Sequence, residues 1–281
     1  MSTRTAATVL VVDDDRATRH LVRAVLTKGG FRVTVAKDGV DALAQLRGRR
    51  FDLMLLDVWM PRMDGMELLE RLKRRAARPK VVVMTSDDAP ETLLRAVRQH
   101  AYQYVHKPVD PLALVSLVRE TLKQRAAPRI EVVSARPNWV ELVVPCTRDA
   151  AEHLHSVMTQ VAADLPEDVR ESVESAFREL LFNAVEWGGK LDPKRSVRIA
   201  YLRAKRMLMY RIADPGPGFR MADLDHAAIS NPPDAPIEHM RIREEKGLRP
   251  GGFGLLVARA KVDELIFNEK QNEVVFVKYL D

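Results

Sequence analysis

Residues 9–15 read VLVVDDD and residues 53–57 read LMLLD, two short apolar runs that each end in aspartate. Runs of this length and composition fit strands buried on both faces, and such strands belong to parallel sheets covered by helices on either side. Working outward, strands are expected at Val9–Val12, Phe31–Val35, Asp52–Asp57, Lys80–Met84 and Tyr102–Val105. Apolar residues recur at helical spacing over Arg16–Lys28, Gly39–Leu46, Met66–Arg74, Glu91–His100 and Leu112–Lys123. Residues 1–125 therefore read as an α/β domain, a five-stranded parallel sheet that is doubly wound. Ligands of such sheets bind beyond the carboxyl ends of the strands, which directs attention to the residues placed there.

Those residues carry a pattern. Asp13 and Asp14 end the first expected strand, Asp57 the third and Thr85 the fourth, while Lys107 follows the fifth, just before Pro108. Adjacent parallel strands bring Asp13, Asp14 and Asp57 into one hollow. Carboxylates that close repel, and a divalent cation with oxygen ligands, most naturally Mg²⁺, relieves the repulsion. A hydroxyl and an ammonium alongside suit a phosphoryl group, the one donating a hydrogen bond and the other pairing with an oxygen. Each residue alone is weak evidence; Asp15, for instance, reads as a helix N-cap.

The stretches VLVVDDD, LMLLDVWMPRMDG, VVVMTS and YQYVHKP together closely resemble the response-regulator receiver family over residues 8–124. The resemblance implies that Asp57 accepts a phosphoryl group from an upstream histidine kinase or phosphotransfer protein. It implies that Asp13 and Asp14 help hold Mg²⁺, that Thr85 and Lys107 sense the phosphate, and that Tyr104 swings inward when the site fills. The spacings agree, with Asp57 following Asp14 by 43 residues, and Thr85 and Lys107 following Asp57 by 28 and 50.

Composition bounds the remainder. The chain has 281 residues, 46% hydrophobic and 30% charged, which excludes a disordered or collagen-like protein and leaves room for a second domain. No apolar run approaches the ~20 residues that span a bilayer, and MSTRTAATVLVVDDD lacks a signal peptide's apolar core, so a cytoplasmic protein with no membrane partner is expected. Cys146 is the sole cysteine; it precludes an internal disulfide or a Cys-based zinc site and reads as a buried or bystander thiol.

The net charge of +6 invites a nucleic-acid reading, but its distribution does not support one. Residues 1–125 hold 23 Lys and Arg against 15 Asp and Glu, and residues 126–281 hold 22 against 24. The clusters Arg47, Arg49, Arg50 and Arg71, Lys73, Arg74, Arg75, Arg78 fall at expected helix ends, where cations complement the helix dipole. No aromatics interleave with them, and no basic recognition helix follows a helix-turn-helix pattern.

The polar, proline-bearing stretch Arg125–Pro128 reads as a linker, the first domain is bounded at residue 125 with a linker and entry strand over 126–137, and there the pattern changes. Strands are expected at Ile130–Val133 and Trp139–Val144, then helices at Asp149–Ala163 and Glu167–Trp187. Strands at Val197–Leu202 and Met207–Ala213, a helix after Gly254, and strands at Glu264–Phe267 and Val274–Tyr279 complete the set, an α+β sandwich over 138–281. His153 and His155 read as surface residues of the first helix. Pro215–Pro250 shows no periodicity and holds six of the sixteen prolines; eight of the thirteen glycines fall between Gly188 and Gly254. A loop this long inside a compact domain suits a lid over a ligand.

Three motifs occur in order. Glu179 and Asn183 lie at i and i+4 on one helix face, where one can orient a metal and the other accept a proton. Asp214-Pro-Gly-Pro-Gly-Phe219 follows a strand, so Asp214 can accept a hydrogen bond from an exocyclic amine while Gly216 and Gly218 leave room for a flat base. Gly251-Gly252-Phe253-Gly254 opens a helix whose free amides suit a phosphate. Each also fits an ordinary helix or turn.

Together, ELLFNAVEWGG, DPGPGF and GGFGLLVARAKVDEL resemble the ATP-binding fold of histidine kinases, gyrase and Hsp90-type ATPases, and most of all its serine-kinase anti-sigma-factor branch. The resemblance implies that ATP binds, that Asn183 ligates Mg²⁺, that Glu179 is general base toward the attacking hydroxyl, and that Asp214 reads adenine. It implies roles for Gly216, Gly218, Gly252 and Gly254 around the nucleotide and a lid over 219–250. Trp187, where that branch often has histidine, and the prolines at 232, 233 and 236 beside Asn231 depart from it. No histidine sits in a phosphoacceptor helix, which disfavours a sensor kinase.

The leading expectation is a two-component response regulator. In it, Asp57 phosphorylation controls a serine/threonine kinase of the anti-sigma type that acts on a STAS-type antagonist and binds it or a sigma factor. A non-catalytic, ATP-dependent partner-sequestering module is the alternative, and a DNA-binding regulator ranks below both. The oligomeric state, a homodimer included, stays open.

Overall fold

The computed structural model describes residues 6–73, 78–86, 90–99, 101–123, 129–136, 138–220, 227–228, 235, 237–245 and 252–280. The linker at Arg125–Pro128, Arg74, Arg75, His100, Gly251, Asn231, Pro232, Pro233, Pro236 and most of the expected lid lie outside the described residues. The chain divides into two compact units, Met1–Pro128 and Arg129–Asp281.

The first unit alternates β1 (Thr8–Val12), α1 (Arg16–Lys28), β2 (Arg32–Ala36), α2 (Gly39–Gly48), β3 (Leu53–Asp57) and α3 (Gly65–Lys73). It continues with β4 (Lys80–Thr85), α4 (Pro90–Arg98), β5 (Gln103–His106) and α5 (Pro111–Lys123). All pairings are parallel, in the order β2-β1-β3-β4-β5. The central strands are apolar throughout because both faces are covered: Val9–Val12, Leu53–Leu56 and Val81–Val83 expose no surface. On one face Val22 and Leu26 of α1 meet Leu114 and Val118 of α5, and on the other Ala42 and Leu46 of α2 meet Leu68, Leu69 and Leu72 of α3. Asp15 caps α1 as expected, accepting from the amides of Ala17 and Thr18, a contribution of about 1 kcal/mol.

The second unit comprises β6 (Glu131–Arg136), β7 (Trp139–Pro145), α6 (Arg148–Val161) and α7 (Glu167–Asn183), which runs into a π-helical turn at Ala184–Gly188. β8 (Ser196–Ala204), β9 (Met207–Ala213), α8 (Glu238–Glu245), α9 (Gly254–Lys261), β10 (Glu264–Phe267) and β11 (Glu273–Tyr279) follow. Its six strands are antiparallel, ordered β10-β11-β9-β8-β7-β6, with the β6–β7 register shifting between Val132 and Ser134. Alternation places Val140, Leu142 and Val144 of β7 in the core. Register then aligns Val140, Tyr201, Tyr210 and Phe276 in one cross-strand row. Tyr210 stacks on Phe276 at 4.7 Å and meets Tyr201 at 4.9 Å, and Phe177 of α7 lies 5.1 Å from Tyr210. That row seats α7 on the sheet.

Three elements differ from the sequence reading. The helix expected over Glu167–Trp187 keeps α-geometry only to Asn183 and then widens by one residue per turn. The aperiodic segment contains α8, whose sequence EHMRIREE is too polar to display an apolar stripe. His153 is not a surface residue: it is 8% exposed, three positions from Ala150 and beside Leu154 on the buried stripe of α6. Cys146 is buried.

Candidate functional site

At the carboxyl end of the parallel sheet, Asp13, Asp14 and Asp57 each offer a carboxylate oxygen, all within 4.8 Å of one another. Pairing of Val12 with Leu56 puts the ends of β1 and β3 side by side and creates the cluster. Asp13 and Asp57 are buried and Asp14 is exposed. Lys107 spans the pair, its Nζ 2.7 Å from Asp13 Oδ2 and 2.6 Å from Asp57 Oδ2. Its amide donates to the carbonyl of Thr85, whose buried residue closes β4. Burial pushes the Asp57 carboxyl above its ordinary pKa against the opposing pull of Lys107. Burial also works against the Lys107 charge, but hydrogen bonds to Asp13 and Asp57 carry its pKa above the usual lysine value.

One ammonium cannot balance three carboxylates. The donor set is hard, all-oxygen and negative, which fits a small divalent cation. Tyr104, on β5, is half-buried against the core beneath α2 and α3. Two neighbours escaped the sequence reading. Arg19, one turn into α1, donates to the Asp13 carbonyl at 2.6 Å, and Arg62, at φ 68°, pairs with buried Asp38 at the start of α2. Spacing carries no signal for either.

The second unit holds a cavity of about 620 Å³ lined by Glu179, Asn183, Trp187, Asp214, Gly216, Gly218, Gly252 and Gly254, so all three motifs converge. Its size is that of small-molecule pockets. Glu179 and Asn183 share one face of α7, opposite the start of α9. A Cβ added at Gly254 would stand 2.6 Å from Glu179 Oε2 and 3.3 Å from Asn183 Nδ2. Asp214 follows β9, and its Oδ1 accepts from the Gly216 amide at 2.6 Å. Burial raises the Asp214 pKa, with that amide and Arg195 pulling the other way. Gly218 has φ 84°, and a side chain there would collide with the Lys270 carbonyl. α9 begins without a side-chain cap. Behind it, the His239 ring of α8 meets the Phe253 ring edge-on at 4.5 Å. Trp187, at the π-turn, is half exposed along the cavity.

Residues 9–119 match the response regulator receiver domain family, and residues 144–278 match the histidine kinase-like ATPase domain family. The chain thus carries a receiver domain followed by a histidine kinase-like ATPase domain. Among characterised relatives, it is similar to Response regulator MprA of Mycobacterium avium, 34% identical over 142 residues covering 50% of this chain and 62% of that protein. MprA of Mycobacterium leprae is 33% identical over 144 residues, 51% of this chain and 63% of the relative. The match therefore spans less than two thirds of those relatives. Among solved structures, a CheY-like receiver domain protein from Methanospirillum hungatei JF-1 is 30% identical, with a TM-score of 0.41, covering 42% of this chain and 94% of its own. The chemotaxis response regulator CheY4 of Vibrio cholerae is also 30% identical, with a TM-score of 0.40, covering 42% and 99%. No described helix is long and apolar enough to cross a membrane.

Proposed function

We propose that the protein is a phosphorylation-controlled, ATP-dependent switch. Asp57 takes a phosphoryl group from a histidine kinase or phosphotransfer protein. An Asp57 oxygen bonds to phosphorus as the donor's P–N bond breaks, and the imidazole leaves with the electron pair. Asp13, Asp14 and Asp57 hold Mg²⁺, which supplies charge neutralisation; Lys107 and Thr85 then bind the transferred oxygens, and Tyr104 responds.

The second unit binds ATP with Mg²⁺. Asp214 accepts a hydrogen bond from the adenine amine, Asn183 is a metal ligand, and the turn through Gly252 and Gly254 receives phosphate. Glu179 removes the proton from a Ser or Thr hydroxyl of a STAS-type antagonist. The hydroxyl oxygen bonds to the γ-phosphorus, and ADP leaves with the electrons of the broken bond. A sigma factor is the second partner in this reading.

What carries it is the placement of Glu179 and Asn183 against Gly254 in a cavity that Asp214 also lines. The test is binding of fluorescent ATP and transfer of labelled phosphate to STAS-type proteins. Glu179→Ala should keep binding and lose transfer by at least 100-fold, general-base removal being worth about 10²–10⁴. Unchanged transfer removes the kinase role; tight binding without transfer by the unaltered chain would assign partner capture instead.

A further inference from the structure

The loop Asp214–Gly218 is held from outside by groups that belong to none of the three motifs. The amide of Asp214 donates to the Asn272 carbonyl at 2.9 Å, and Asn272 Nδ2 donates to the Gly216 carbonyl at 3.2 Å. The orientation of that side-chain amide is fixed by Asn268, whose Nδ2 donates to Asn272 Oδ1 at 2.9 Å and whose Oδ1 accepts from the Asn272 amide at 3.1 Å. On the other side, the Arg195 guanidinium donates to the Pro215 carbonyl. Gly218 is pressed against the Lys270 carbonyl, in the same β10–β11 turn. Three successive carbonyl or amide groups of the loop are thus tied to two different elements.

We infer that Asn272, braced by Asn268, and Arg195 are positioning residues that set base selectivity by fixing Asp214. This rests on the reading of the cavity as a nucleotide site. Asp214 uses Oδ1 on the Gly216 amide, leaving Oδ2 to read a base. The direction of Oδ2 therefore depends on where Gly216 is held, and Asn272 holds it. A loop free to shift would accept an amine and a carbonyl edge with less discrimination, because hydrogen-bond selectivity requires fixed geometry.

Asn272→Asp is the informative variant: it keeps the backbone carbonyl and the side-chain shape but removes the donor to Gly216. Dissociation constants for adenosine, ATP and GTP are measured on the full chain with Mg²⁺, alongside the thermal midpoint without nucleotide. The expected result is a tenfold or greater loss of affinity, by the same factor for adenosine and ATP, with GTP changed little, so that the ATP-to-GTP preference shrinks about tenfold. Arg195→Ala should shrink it in the same sense, and Asn272→Gln should restore part of it. Equal loss for ATP and GTP, or a loss confined to ATP while adenosine is unaffected, overturns the inference, as does wild-type selectivity in Asn272→Asp. If the unaltered chain binds no adenine nucleotide, the nucleotide reading fails and takes the inference with it; if it binds ATP and the variants match it, only the inference fails.

Discussion

Lys107 Nζ stands within 2.7 Å of two buried carboxylates, and that single side chain decides the local electrostatic balance. Removing one partner of a buried ion pair leaves an uncompensated charge, a larger loss than the pair's net worth. Lys107→Ala should therefore destabilise the first unit by about 2 kcal/mol in chemical denaturation without Mg²⁺. Millimolar Mg²⁺ should restore much of that, since a cation that binds only the folded site stabilises it; no recovery would count against the acidic trio as a cation site. His153 gives the second residue-scale expectation. Burial pulls its pKa down to about 4 from 6.5, so the folded chain resists protonation that the unfolded chain accepts. Its contribution is intact above pH 6.5 and is lost as pH falls toward 4. Between pH 7 and 4.5 the unaltered chain should lose about 2 kcal/mol more than His153→Leu, measured by urea titration at each pH.

At the scale of elements, the aromatic row beneath α7 supports one wall of the second unit's cavity. Phe276→Ala removes the ring stacked on Tyr210 and should cost about 3–5 kcal/mol. Because Phe177 rests on the same cluster, nucleotide affinity should fall as well, as a binding titration would register. The parallel sheet was legible because its central strands are apolar without interruption, so strand and partner were readable together. The acidic cluster was legible for a related reason: adjacent parallel strands bring their carboxyl ends together, so aspartates that end them share one hollow. Other features were silent. The π-turn leaves no mark in NAVEW, because widening a helix depends on what packs against it. His153 has the residue type of a surface and the position of a core. Asn272 and Arg195 reach the Asp214 loop across 58 and 19 residues of sequence, and no local pattern announces such contacts.

At the scale of the whole molecule, one unit carries an acidic cluster and the other a cavity, and under the proposed function regulation requires that one bias the other. Beryllofluoride or acetyl phosphate should change ATP affinity or partner binding measurably, and Asp57→Asn should abolish the change; an identical response in that variant breaks the link. The two sheets also face different hazards. β6 is the last strand in the order of the antiparallel sheet, the kind of strand whose outer row of backbone groups can template pairing with another chain. The register shift at Val132/Ser134 interrupts that row, and half-exposed Val133 sits at the break with Glu131 and Arg136 charged at either end. A bulge is one of the devices that blunt an edge strand against edge-to-edge pairing, so deleting Val133 should raise the protein's tendency to associate through that rim, which light scattering at high concentration would register.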